Sequence, residues 1–310
     1  MKMIKNIFAL LGLIVVTCVS VNAVQDAPTD ENLEQKVVND YNVYALPIPE
    51  EMEFAGERVP LELPDIRERM DRELLVNTYW QSNGLLLFKR ANKYLPTIER
   101  ILEEEGVPDD FKYLAMAESA LENNRSPAGA AGFWHFLTST GKEYGLEIND
   151  NVDERFNLEK ATRVAAQYLK NSYERFGSWT LAAAAYNAGN YGISKQQERQ
   201  DVTNYYDLLL NDETSRYVFR ILAFKEIISN PKKYGFNFRQ KDLYGHVPVK
   251  YVKVDTAVAD FAQFAQDFGI NYKILKLHNP WLREKHLNNA TRKVYTLEIP
   301  EAGYYSSMGQ

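Results

Sequence analysis

Cysteine is almost missing from this chain: there is one in 310 residues, Cys18, so no disulfide framework can be built. Histidine is nearly as scarce. His135, His246, His278 and His286 show no metal-ligand spacing, and no H-E-x-x-H occurs. Neither a metal nor a cofactor is expected. The net charge is -6, and no basic stripe with interleaved aromatics appears, which argues against nucleic acid as a partner. After the first two dozen residues, no apolar run is long enough to cross a bilayer.

What is present begins with the N-terminus. Lys2 and Lys5 precede an apolar run from Ile7 to Val16, and V-S-V-N-A ends in small residues at Ala23. The run is too short for a membrane span and is expected to be a secretory signal covering residues 1–23. Export to the periplasm or cell envelope follows from it. The alternative is a lipobox, V-V-T-C, with Cys18 acylated and the protein attached to the outer membrane; Thr17 fits that motif poorly.

Residues 24–60 are acidic and weakly periodic, and are expected to form an extended lead-in. Helical spacing then starts. Ile66, Met70, Leu74 and Asn77 define one helix; Leu85 to Leu95 define a second, which Pro96 is expected to end. Asp109 or Asp110 is expected to cap a further helix. Leu158–Phe176, Trp179–Tyr186 and Asp212–Ile228 complete an all-α part, with no strand expected before Gly245. Beyond Gly245 come alternation at Val247, Val249 and Tyr251, two short helices, the turn Asn279-Pro280 and a strand near Thr296–Ile299. The expected fold is therefore mainly α, a helical domain at 61–240, followed by a small α+β strand–helix–helix–strand module at 245–302.

The chemistry centres on Glu118. Phe111, Leu114, Ala115, Glu118 and Leu121 share one helix face, so an acid projects from the face that should be buried. Desolvation raises a carboxyl pKa, which is what a general acid needs near neutral pH. The S-P-A-G-A-A-G loop, Ser126 to Gly132, has little side-chain bulk and permits close approach of a ligand. Trp134 and Phe136 follow; their rings suit either sugar faces or the core. Tyr186 and Asn187 close an alanine-rich helix. There the Tyr hydroxyl can reach a catalytic carboxyl group, and Asn187 can bind an acetamido group or cap the helix.

Taken in order, E-S (Glu118, Ser119), S-P-A-G-A-A-G-F-W-H-F, Y-G-L (Tyr144 to Leu146), V-D-E-R (Val152 to Arg155) and A-A-A-Y-N-A-G (Ala183 to Gly189) resemble the catalytic domain of the soluble lytic transglycosylases. P-D-I-R-E-R (Pro64 to Arg69) and E-T-S-R-Y-V (Glu213 to Val218) fit a membrane-bound subgroup, so the likeness runs from about Pro64 to Gly235. The resemblance implies a goose-lysozyme-like fold and peptidoglycan glycan strands as substrate. It implies that Glu118 serves as acid and then as base, cutting the β-1,4 bond from N-acetylmuramic acid to N-acetylglucosamine and leaving a 1,6-anhydro end. It assigns supporting roles to Ser119, Gly132, Trp134, His135, Tyr186 and Asn187, with Tyr186 orienting Glu118. His135 stands where the family usually has Gln. Asp153 and Arg155 are expected to hold the fold by pairing. Asp153 is also the second carboxylate that a hydrolysing muramidase would need, and a non-catalytic glycan-binding scaffold is the further alternative. The C-terminal unit resembles a degenerate LysM module, on the strength of Asp255-Thr256, Phe261, Phe264, Asn279-Pro280 and Leu297 to Pro300. It is expected either to tether the enzyme to its polymer or to cap the helical domain.

Overall fold

A computed structural model describes residues 43–305. The expected signal segment, Cys18 and residues 24–42 of the lead-in lie outside the described residues. The described chain divides into a large unit, residues 46–236 with 244–305, and a small one containing residues 43–45 and 237–243. In the small unit Arg239 and Asp242 bracket one turn of 3-10 helix, with both Arg239 Nε and Nη2 donating to the Asp242 carboxylate at 2.9 Å.

The large unit opens with a two-residue hairpin, β1 (Glu53–Phe54) and β2 (Glu57–Arg58). This corrects the expectation that no strand precedes Gly245. The reason is local: Ala55 and Gly56 take positive φ values of 53° and 79°, the turn reverses the chain, and Phe54 and Val59 are buried. The Glu57 carboxylate then accepts hydrogen bonds from the Ser178 hydroxyl and from the Trp179 and Thr180 amides, capping a later helix.

Eight helices follow: α1 (Pro64–Tyr79), α2 (Gln81–Glu105), α3 (Lys112–Ser119), α4 (Thr138–Glu143), α5 (Leu158–Phe176), α6 (Trp179–Ala188), α7 (Asn190–Gln200) and α8 (Asp212–Ser229). Helix α2 runs straight through Pro96. The proline ring is on the exposed side, while Leu95, Ile98, Ile101 and Leu102 stay buried on one continuous face. Packing of that stripe outweighs the one backbone hydrogen bond that proline removes. Asp109 and Asp110 do not cap α3. Asp109 pairs with Lys112 Nζ, and Asp110 accepts from the Ala55 amide and Lys225 at 2.7 Å, so both charges are used to lock elements together. Side-chain caps stand elsewhere: Asn157 accepts from the Lys160 amide at the start of α5, and Ser178 from the Leu181 amide at α6.

Four alanines of α6, Ala182 to Ala185, are fully buried, letting α6 lie close to α5 and α8. Helices α1 and α8 pack against each other over Ile66, Met70, Leu74, Val218 and Leu222. Among the described residues no helix is long and apolar enough to cross a membrane.

The C-terminal module is β3 (Val249–Val254), α9 (Phe261–Gln266), α10 (Tyr272–His278) and β4 (Tyr295–Pro300). The strands pair antiparallel, Val249 opposite Pro300 and Val254 opposite Tyr295. The strand–helix–helix–strand order is as expected. Its core of Phe261, Leu275, Trp281, Leu297 and Ile299 does not close on itself: Ala131, Val152 and Phe156 of the helical domain belong to the same buried cluster.

Candidate active site

Glu118 occupies the last turn of α3. The helix stops at Ser119 because Ala120 and Leu121 take left-handed φ values of 50° and 56°. For non-glycine residues this conformation is strained, and it re-aims the chain so that Leu121 is buried while Glu118 faces inward. The Glu118 side chain is 16 % exposed. Burial pushes its carboxyl up to about 7; the Tyr217 hydroxyl and the charge of Arg220 pull it down, and Glu213 pushes it up. Burial is the first of these, so the group holds its proton into the neutral range.

The hydrogen-bond partner of Glu118 is Tyr217, on α8, whose hydroxyl donates to Oε1. That is not the tyrosine expected. Tyr186 lies close enough to feel the Glu118 charge, but its hydroxyl donates to the Trp134 carbonyl at 2.8 Å. Tyr186 therefore positions the loop, and Tyr217 holds the acid. Tyr217 was visible in the sequence only as one letter of E-T-S-R-Y-V; nothing in local spacing shows that α8 crosses over α3. Glu213, one turn earlier on α8, pairs with Arg220 at 3.1 Å.

Loop 126–136 forms the second wall. Ser119 donates from Oγ to the Phe133 carbonyl at 2.7 Å, tying the loop to the residue after the acid. Gly132 has φ 81°, and a Cβ there would stand 1.8 Å from the Arg155 carbonyl oxygen, so glycine is required twice over. Trp134 is completely buried, with Nε1 donating to Thr162 Oγ1 at 2.9 Å. Phe136 is buried too. Neither ring is open to a sugar face: both rings meet Tyr186 inside the core, which favoured burial of their large apolar area over exposure.

His135 is the loop's tip. It takes φ 46°, its Nδ1 stands 3.9 Å from Glu118 Oε2, and its Nε2 is 3.0 Å from Asn124 Oδ1. Burial lowers its pKa, so the ring is neutral at pH 7. At 3.9 Å it makes no direct hydrogen bond to the acid. Asn187 is engaged rather than free as a cap, accepting from Thr214 Oγ1 at 2.9 Å. Asn187, Glu213 and Thr214 also line a cavity of about 540 Å³ with Gln196 and Arg199.

Asp153 is buried and committed. Its two oxygens accept from Arg155 Nε at 2.9 Å and Nη2 at 2.8 Å. Among the described residues no three His, Cys, Asp or Glu side chains converge as a metal-ligand set.

The site is thus one desolvated acid, held by a tyrosine, beside a glycine-dependent loop, in a helical domain followed by a strand–helix–helix–strand module. Comparison with known proteins gives the same two parts. Residues 97–208 match the family described as "Transglycosylase SLT domain", and residues 250–303 match "Soluble lytic transglycosylase C-terminal LysM-like domain". The two matches lie in this order along the chain. It is 29% identical over 235 residues to membrane-bound lytic murein transglycosylase D of Escherichia coli (strain K12), covering 73% of this chain and 50% of that protein. It therefore spans about half the length of the curated relatives it matches. Among solved structures it is similar to the 70 kDa soluble lytic transglycosylase SLT70 from Escherichia coli, at 20% identity and TM-score 0.39 over 49% of this chain and 27% of the other. It is likewise similar to the lytic transglycosylase Slt from Pseudomonas aeruginosa, at 20% identity and TM-score 0.35 over 49% and 26%.

Proposed function

We propose that this protein is a lytic transglycosylase of the cell envelope. It cuts the β-1,4 bond between N-acetylmuramic acid and N-acetylglucosamine in peptidoglycan strands and leaves a 1,6-anhydromuramic acid end. Residues 61–240 are the catalytic domain, and residues 245–302 the LysM-like one. The observation that carries the proposal is the Glu118 carboxyl: buried, without a cationic hydrogen-bond partner and raised to about 7, on the domain that matches the transglycosylase family.

One carboxyl group then does both steps. Protonated Glu118 gives its proton to the glycosidic oxygen as the bond to the muramic acid C1 breaks. The resulting carboxylate takes the proton of that sugar's own C6 hydroxyl, whose oxygen closes on C1. The acid is regenerated and no water enters. Tyr217 holds the carboxylate in place between the two steps. Ser119, Gly132, Trp134 and Tyr186 fix the loop, and Asn187 borders the glycan path. Hydrolysis instead would call for a second carboxylate as base, usually a pair flanking the bond. Asp153 is spent on Arg155, which removes the most obvious candidate.

The test is mass spectrometry of muropeptides released from purified sacculi, with wild type beside Glu118→Gln. The expected products are one water lighter than hydrolysis products and absent with the variant. Hydrated products would make the enzyme a muramidase. Binding without release by either protein would leave only a glycan-binding scaffold, and would turn attention to His135.

A further inference from the structure

The C-terminal module is fastened to the part of the helical domain that supports the loop of the candidate active site. Residues 147–156 run along it. The Asp153 amide donates to the Trp281 carbonyl at 2.9 Å, the Arg283 amide to the Asn151 carbonyl at 2.8 Å, and the Asn288 amide to Asn151 Oδ1 at 2.8 Å. At the rim, Tyr295 Oη donates to the Glu147 carboxylate at 2.9 Å, and Lys293 pairs with the same group at 2.5 Å. The Arg283 guanidinium lies 4.4 Å from the centre of the Phe156 ring.

The same segment grips the loop from the other side. Arg155 is only 1 % exposed. Two of its nitrogens are taken by Asp153, and the third, Nη1, donates to the carbonyls of both Gly129 and Phe136 at 3.1 Å. Those carbonyls flank Gly132, Trp134 and His135. The Arg155 carbonyl is the atom against which Gly132 is packed. Ala131, in the middle of the loop, belongs to the module's own core. A fork held rigid by a carboxylate can fix two carbonyls at once, which a flexible ammonium would not do as well.

We propose that the C-terminal module is a positioning element of the candidate active site. It acts through Asp153 and Arg155 to hold the 129–136 loop in register beside Glu118. Its attachment, and not only any affinity for the polymer, sets the rate. The part of this statement that concerns rate rests on the transglycosylase proposal above; the part that concerns loop order does not.

The test uses the full chain with two variants. Glu147→Gln combined with Tyr295→Phe loosens the rim of the attachment and leaves both cores and every loop hydrogen bond in place. Arg155→Lys keeps the charge and removes the fork. Two readouts are taken: hydrogen exchange of the 129–136 amides, and kcat and KM on soluble glycan strands. Both variants are expected to speed loop exchange at least tenfold and to lower kcat at least fivefold, with KM within twofold of wild type. Wild-type exchange in the loop of the rim variant would overturn the proposal, as would a rise in KM with kcat unchanged, which is the signature of a tether. If wild type cuts no glycan yet loop exchange rises in both variants, the positioning stands and the transglycosylase proposal falls.

Discussion

Two desolvated carboxylates, the largely covered Glu118 and the buried Asp153, sit beside the same loop and have opposite fates. Asp153 receives a guanidinium fork, with further support from Arg125 at 3.4 Å. Glu118 receives one phenolic hydroxyl and an imidazole held at 3.9 Å. Both lose water. Where a cation replaces that water, as the Arg155 fork does at Asp153, the pair becomes structure. Where none does, the group keeps its proton and becomes an acid of neutral pKa. Burial alone does not distinguish a catalytic carboxyl from a structural one; the identity of the partner does.

That contrast can be broken most severely by removing each carboxyl in turn. Glu118→Gln should lower strand cutting at least ~10³-fold while leaving the fold intact, because in the proposed reaction a single group supplies both proton transfers. Circular dichroism and muropeptide release measured together check it. Asp153→Ala should do the reverse, unfolding rather than merely slowing the protein. Breaking a buried pair leaves Arg155 uncompensated, at a cost of about 3–5 kcal/mol, read as a fall in Tm.

A smaller effect sharpens the comparison through pH. The Glu118 carboxyl is raised in the folded state, to about 7, above its ordinary 4.5. Between those values the native protein holds a proton that the unfolded chain has released. Stability from this group is therefore full below about pH 4.5 and is lost as pH rises through 7. Glu118→Gln does not titrate. Its stability advantage over wild type should be near zero at pH 4 and grow to at most ~3 kcal/mol at pH 8. Urea titrations of both proteins at the two pH values measure the difference directly. They also cancel the like-signed contribution of Glu298, whose carboxyl burial and Glu159 likewise push up to about 7. An advantage that shrinks with pH would mean that Glu118 is charged in the native state.

Tyr217→Phe should act on the same group with a gentler effect. Its hydrogen bond pulls the Glu118 pKa down, so its loss should move the alkaline limb of the pH–rate profile upward and reduce kcat by about tenfold or less. Tyr186→Phe should leave that limb in place, since its hydroxyl serves Trp134. His135→Gln is the mildest change, expected within about threefold of wild-type kcat. Either side chain can offer one donor and one acceptor at that position.

Much of this was legible in the order of residues, for identifiable reasons. The apolar stripe of Phe111, Leu114, Ala115 and Leu121 exposed Glu118 as an acid on a buried face, because helical period is a local property. Small residues in the loop pointed to close approach of a ligand; at Gly132 the group that approaches is the Arg155 carbonyl, 1.8 Å from where a Cβ would stand. What failed was whatever depended on a crossing. Tyr186 was the nearer tyrosine by motif, yet Tyr217 arrives from α8, 99 residues beyond the acid it binds. Trp134 carries a ring that suits a sugar face or the core, and burial among α5 and α6 decided for the core. Pro96 reads as a stop, yet a stripe packed on both sides of it carries the helix through.

The sequence alone determined the helical domain with its strand–helix–helix–strand successor, and the acid on a face that should be buried. Periodicity, cap residues and turn residues act within a few positions of one another. Only the tertiary structure decided which buried acid would meet a cation, which tyrosine would hold the other, and that the C-terminal module shares a core with the loop. Those outcomes depend on which distant side chains replace lost water, and no local pattern records that choice.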